Sequence, residues 1–130
     1  MPYELIWEKR GVVKRHYGVL TDREVLSATQ QVGNHEQFTH LRYIINDFTD
    51  VESGQITPHT IEEIAALRIG ATRVNRHILS PYVATHDPGL SIANALLSPD
   101  YRNDHPTRLF PNMAAARAWV DAQLNKVSHP

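Results

Sequence analysis

Four times in this 130-residue chain, strand-like patterning runs into a residue that starts helices, and that repetition narrows the fold more than any other feature. Thr21-Asp22-Arg23-Glu24 has the form of a capping box. The Thr21 hydroxyl is set to accept from the amide three residues on, and Glu24 is set to reach back. Val25, Ala28, Thr29 and Val32 follow at helical spacing, and Gly33-Asn34 closes that helix. Thr57-Pro58 supplies an N-cap and a first-turn proline. Ile61, Ile64, Leu67, Ala71 and Val74 then recur at helical steps, predicting the longest amphipathic helix in the chain. Asp87-Pro88 repeats the signal before Ile92, Ala93, Leu96 and Leu97. Asn112 caps a last helix from Met113 to about Lys126, with Ala116, Trp119, Val120 and Leu124 on its inner face.

Between these helices lie the strands. Tyr3 to Glu8 alternates, Lys9-Arg10-Gly11 turns, and Val12 to Leu20 forms the second arm of a hairpin. Leu41 to Phe48 reads as a third strand followed by a polar loop, with Tyr43-Ile44-Ile45 continuous enough for a sheet covered on both faces. Pro81 to Thr85 and Thr107 to Phe110 are short fourth and fifth strands, and 98–106 reads as loop. The order is therefore ββαβαβαβα. It predicts an α/β fold with a five-stranded mixed, mostly parallel sheet and four helices, the hairpin supplying the antiparallel pair. No repeat, low-complexity tract or linker divides it, so 1–130 reads as a single domain.

Composition excludes several function classes. A net charge of -1 gives no global field to hold nucleic acid or an anionic membrane. The absence of cysteine removes disulfides, thiolate metal sites and thiol chemistry together, and it fits a reducing cytosol. The opening Met1-Pro2-Tyr3-Glu4-Leu5 carries an acid early and lacks an apolar h-region, so no secretory signal is expected. No apolar run reaches the roughly 18 residues of a membrane span. A cytoplasmic protein is the expectation.

Several segments bear a family likeness: Trp7 in the opening strand, Gly11-Val12-Val13, Gly18-Val19-Leu20-Thr21, and Leu41-Arg42-Tyr43 through Asp47-Phe48-Thr49-Asp50-Val51. Ile64-Ala65-Ala66-Leu67, Val83-Ala84-Thr85 and Ala114 to Val120 continue it over nearly the whole chain. With these the sequence resembles the bacterial SpoIIAA-like family, whose fold is shared by STAS domains, the anti-sigma-factor antagonists. That fold is related in shape to CRAL-TRIO lipid-transfer proteins. The resemblance implies a SpoIIAA-like domain acting as a regulatory, partner-binding module. STAS antagonists carry a phosphorylatable Ser in an Asp-Ser-Ser/Thr context after the third strand. That motif is absent here, and Thr49, Ser53 and Thr57 are the hydroxyls left for the role.

In an open α/β sheet, ligands bind outside the carboxyl ends of the parallel strands. That edge gathers Thr21, the loop holding Asp47, Thr49, Asp50, Ser53 and Thr57, and the segment Thr85-His86-Asp87. Helix N-termini there could hold an anion, but from Tyr43 to Leu67 the chain has five acids and no Lys or Arg, and ordinary capping explains the residues better. Asp47, Asp50 and Glu52 lack the spacing of a calcium loop. His35 and His40 stand five apart, about 140° around a helix, and not the four apart of a zincin motif. Neither a metal nor a cofactor is expected. Gly89-Leu90-Ser91 lacks the strand-to-helix turn of a nucleophile elbow, because Pro88 has already opened the helix.

Lys9, Arg10, Lys14 and Arg15, with His16 and Tyr17, gather in the first hairpin. Alternation splits them between two faces, which reads as a solvated edge strand protected by charge and not as a nucleic-acid surface. The expected function is a non-enzymatic binding or regulatory module for a protein partner, with a homodimer left open. The alternative is a carrier or sensor of a small apolar or lipid-like ligand, which needs an enclosed apolar cavity of hundreds of Å³ beside the long helix. The third class is an enzyme working from Asp47, Thr85 and His86.

Overall fold

A computed structural model of the chain describes residues 3–101 and 103–128, the last two of them by backbone alone. The expected opening at Met1-Pro2, Arg102 of the 98–106 loop, and His129 lie outside the described residues. The hairpin consists of β1 (Tyr3–Trp7) and β2 (Gly11–Leu20), antiparallel with Tyr3 opposite His16 and Trp7 opposite Val12. α1 (Asp22–Gly33) and one 3-10 turn at Phe38–His40 lead into β3 (Tyr43–Gly54). Then come α2 (Pro58–Val74), β4 (Tyr82–Val83), α3 (Gly89–Leu96), β5 (Leu109–Phe110) and α4 (Met113–Ser128).

The five strands lie in sequence order, β1-β2-β3-β4-β5, with every pair after the first parallel. This is the expected α/β architecture, a mixed five-stranded sheet with four helices. The strand order has a consequence for the layers. Three successive crossovers step the same way across the sheet, and right-handed crossovers of that kind place all their helices on one face. α1, α2 and α3 accordingly share a core with the sheet, in which Val25, Ile61, Ile64 and Ile92 pack on Phe48 and Tyr82. α4 returns on the opposite face, where Ala116 packs on Val13, Ile45 and Val83. Arg117 of α4 also pairs with Glu8 at 2.7 Å, and Glu8 accepts from the Tyr43 hydroxyl.

Two expectations about the strands are corrected. β3 does not stop at Phe48 but runs to Gly54, because the second half of β2 pairs with it: Tyr17 with Asp50, Gly18 with Val51 and Leu20 with Gly54. The register shifts twice, between Arg15 and Tyr17 and between Gly18 and Val19, and Gly18 takes φ 66° there. These bulges let Phe48 and Val51, three apart, both enter the core, which breaks the alternation that marks a strand. The second correction concerns β2. The solvated edge is β1; β2 lies between β1 and β3, so Lys14 and His16 face inward beneath the helices. The capping box is also half-formed. Thr21 accepts from the Glu24 amide at 3.3 Å, while the Glu24 carboxylate does not return and its Oε2 is buried without a partner.

His16 is 1% exposed and lies flat against Phe48, ring centroids 4.9 Å apart and planes 5° apart. Burial, and secondarily the neighbouring Lys14 charge, lower its pKa from 6.5 to about 3. The unfolded chain therefore binds a proton that the fold does not between those two values, and stability falls as pH drops through that window. Equilibrium urea unfolding from pH 7 to pH 5 is expected to show a loss approaching about 1.4 kcal/mol per pH unit below pH 6.5. His16→Phe is expected to flatten that slope.

Candidate functional site

The carboxyl ends of β2, β3 and β4 bring the expected residues to one end of the sheet, but they do not form one constellation. Thr21 and Thr57 cap α1 and α2, accepting from the amides of Glu24 and Thr60 at 3.3 and 3.4 Å. The two caps are joined. Asp22, the first residue of α1, accepts from the Thr57 amide and the Thr57 hydroxyl, both at 2.9 Å. A carboxylate of the chain itself thus occupies the start of α2, where an outside anion would have bound. Ser53, next to the last residue of β3, lies beside Val19 and is exposed.

Thr49, Asp50, His86 and Asp87 do come together. With Arg15, Tyr17, Val51 and Glu52 they line an open concavity of about 740 Å³ against the β2–β3 bulges. Arg15 crosses its mouth, bonded to Asp50 at 2.7 Å and to Glu4 at 3.0 Å, and its guanidinium lies over the Tyr17 ring. Asp50 is the largest of the causes that raise the Arg15 pKa. Asp47 sits below, buried, its Oδ1 accepting from the Thr49 amide at 3.0 Å and the Thr49 hydroxyl at 2.6 Å.

The three residues weighed for catalysis are each engaged separately. Asp47 is held by Thr49, and the Thr85 hydroxyl donates to the Pro111 carbonyl at 2.8 Å. The exposed His86 ring meets the Asp87 main-chain oxygen at 3.3 Å and no carboxylate. Asp87, one residue before the Pro88 cap of α3, accepts from the amide and hydroxyl of Ser91 at 3.0 and 2.6 Å. Elsewhere, His35 stacks on Trp7 with centroids 3.9 Å apart. Among the described residues no three His, Asp or Glu side chains gather as a cation site requires.

Two cationic features escaped the sequence reading. At the opposite end of the sheet, Arg10, Arg42 and Arg76 rim a pocket of about 470 Å³ with Ile78, Leu79 and Leu124 at its apolar wall. Beneath α1 and α2 lies a smaller cavity of about 70 Å³, reached by Lys14 from β2 and Arg68 from α2. A signal for the second was present. Lys14 alternates with Val12 and His16, and Arg68 follows Ile61 and Ile64 by helical steps, so each cation falls on a core-facing stripe. Burial first, and Arg68 second, lower the Lys14 pKa to about 8.

No family model, curated protein or solved structure matches the chain.

The link between the caps is open to a direct check. Asp22→Ala and Thr57→Ala are each expected to cost about 1 kcal/mol in urea unfolding. The double variant is expected to cost measurably less than the sum, because both changes break the same bonds.

Proposed function

We propose that the chain is a non-enzymatic binding module with a regulatory role, of the SpoIIAA-like or STAS type, whose protein partner docks at the carboxyl end of the sheet. The observation that carries this reading is the open concavity around Thr49, Asp50, His86 and Asp87, backed by the long β2–β3 ladder. Thr49, Asp50 and Asp87 are each held by a neighbour, Asp47, Arg15 and Ser91 respectively, which gives a firm patterned surface. A half-buried aromatic beside a cation, here Tyr17 under Arg15, is the kind of anchor that interfaces favour.

The three hydroxyls weighed as phosphate acceptors are not equivalent. Thr57 is committed to Asp22 and to capping α2, and Thr49 to Asp47. Ser53 is exposed and adjoins Glu52 on the rim, so it is the hydroxyl whose modification would alter the docking face without breaking an existing bond. The carrier alternative has less support, since the cavity beside α2 is about 70 Å³ and is lined by two cations.

Native mass spectrometry of the chain purified from its own host is expected to give a complex heavier than the bare chain. Arg15→Glu combined with Tyr17→Ala is expected to release that partner. Any phosphopeptide recovered is expected to place the phosphate on Ser53. A partner retained by the double variant would remove this surface from consideration.

A further inference from the structure

The cavity beneath α1 and α2 has an unusual electrostatic composition. Lys14 and Arg68 both line it, and among the described residues no Asp or Glu does. Two cations held in a protein interior without a counter-ion are costly, and folds ordinarily pair them. The Lys14 ammonium reaches one protein acceptor, the Thr29 hydroxyl, at a long 3.4 Å.

The state of the Arg68 guanidinium is more specific. Its Nη1 donates to the Leu96 carbonyl at 2.9 Å, which anchors the group from one side. Its Nε and Nη2 are buried, and among the described residues no atom is hydrogen-bonded to them. Those two N–H groups point in parallel along one edge of the planar guanidinium. That edge is the fork that receives two oxygens of one carboxylate side by side. Asn103 adds a buried Nδ2 donor without a partner on the same cavity wall.

Neighbouring polar groups behave differently. The Asn46 amide is used by the oxygens of Ser80 and Pro81 at 3.0 and 3.1 Å, and His105 Nε2 meets the Asn75 carbonyl at 2.7 Å. Around the cavity these groups are bonded within the fold, while Arg68 Nε and Nη2 and Asn103 Nδ2 stay without a hydrogen-bonded acceptor among the described residues. Tyr82 lines the same space with its hydroxyl oxygen beside the Arg68 guanidinium, and burial raises its pKa against the opposing effect of that charge.

The geometry points to a binding site for a small carboxylate, gripped side-on by Arg68 Nε and Nη2 with Lys14 and Asn103 closing on its oxygens. Size and polarity select this class. A volume of about 70 Å³ matches about two waters at the roughly 30 Å³ each fills in the liquid, which suits an anion of a few heavy atoms. Val32, Phe38, Ile64 and Ala71 form the remaining wall. An acid with one apolar end satisfies that wall, whereas phosphate or sulfate would press unbonded oxygens against it. This site is independent of the docking surface, which lies at the end of the sheet.

Titration of the full chain with sodium acetate at pH 7, against sodium chloride at matched ionic strength, tests the proposal by thermal unfolding and calorimetry. Acetate is expected to raise the melting temperature in a saturable way that chloride does not reproduce. Arg68→Gln is expected to weaken the apparent affinity about 10- to 100-fold. Lys14→Met is expected to raise the melting temperature of the acetate-free protein and to abolish the response, which separates loss of binding from loss of folding. Arg42→Gln, at the other arginine pocket, is expected to leave the response intact. A wild-type response no larger than chloride gives would overturn the site, as would an undiminished response in Arg68→Gln and Lys14→Met, or loss of the response in Arg42→Gln. Saturable stabilisation by phosphate where acetate gives none would overturn the carboxylate assignment.

Discussion

The parallel pairing of β2 with β3 is the constraint on which the rest of the molecule depends. It runs from Gly11 beside Tyr43 to Leu20 beside Gly54, whereas β4 and β5 contribute two residues each. A parallel pair needs both faces covered and a crossover between its strands. α1 is that crossover. Because β1 takes the outer side of β2, later strands can add only beyond β3, and the sheet grows in one direction. One-way growth puts α1, α2 and α3 on one face and leaves the other to α4. The thickness of that three-helix layer is what allows an interior cavity on its side of the sheet. The bulges near Tyr17 and Gly18 belong to the same ladder, and they bend the surface that carries Arg15 and Asp50.

Much of the fold was legible in the sequence, for reasons that differ by element. Helix starts were read from Thr21, Thr57 and Asn112, because a cap is a local bond between residues three apart and needs no tertiary context. The extension of β3 past Phe48 was not legible, because a bulge exchanges the strand period for a pattern with no local signature. Lys14 was misread for a related cause. Alternation correctly separates Lys14 from Arg15, but which face is wet depends on the strand that lies alongside, and strand order is a long-range property. Of the expected surface residues, Thr49, Asp50, His86 and Asp87 converge, while Thr21 and Thr57 serve the helix caps. Arg68 lies just beyond the acid-rich stretch that argued against anions, so its charge was left out of the account although its helical phase pointed inward.

The two ends of the sheet differ in electrostatic character. The carboxyl end carries Asp50, Glu52 and Asp87 around a single arginine, and the amino end carries three arginines. A net charge of -1 conceals this polarity entirely. Separated charge of this kind orients approaching molecules more than it stabilises the fold, because the exposed pairs at Arg15 are screened by water and salt.

The contact between Glu8, just after β1, and Arg117 joins the first hairpin to α4 across 109 residues of chain. Translation delivers β1 before α4, so this contact cannot form until all five strands have been made. Until α4 emerges, Val13, Ile45 and Val83 form a bare apolar plate on a sheet whose other side already has its helices. A chain that folded in the order of its synthesis would pass through a half-covered stage with one sticky face, the kind of surface that chaperones shield and that aggregation exploits. Arrival of α4 closes that interval and locks the first hairpin in the same step.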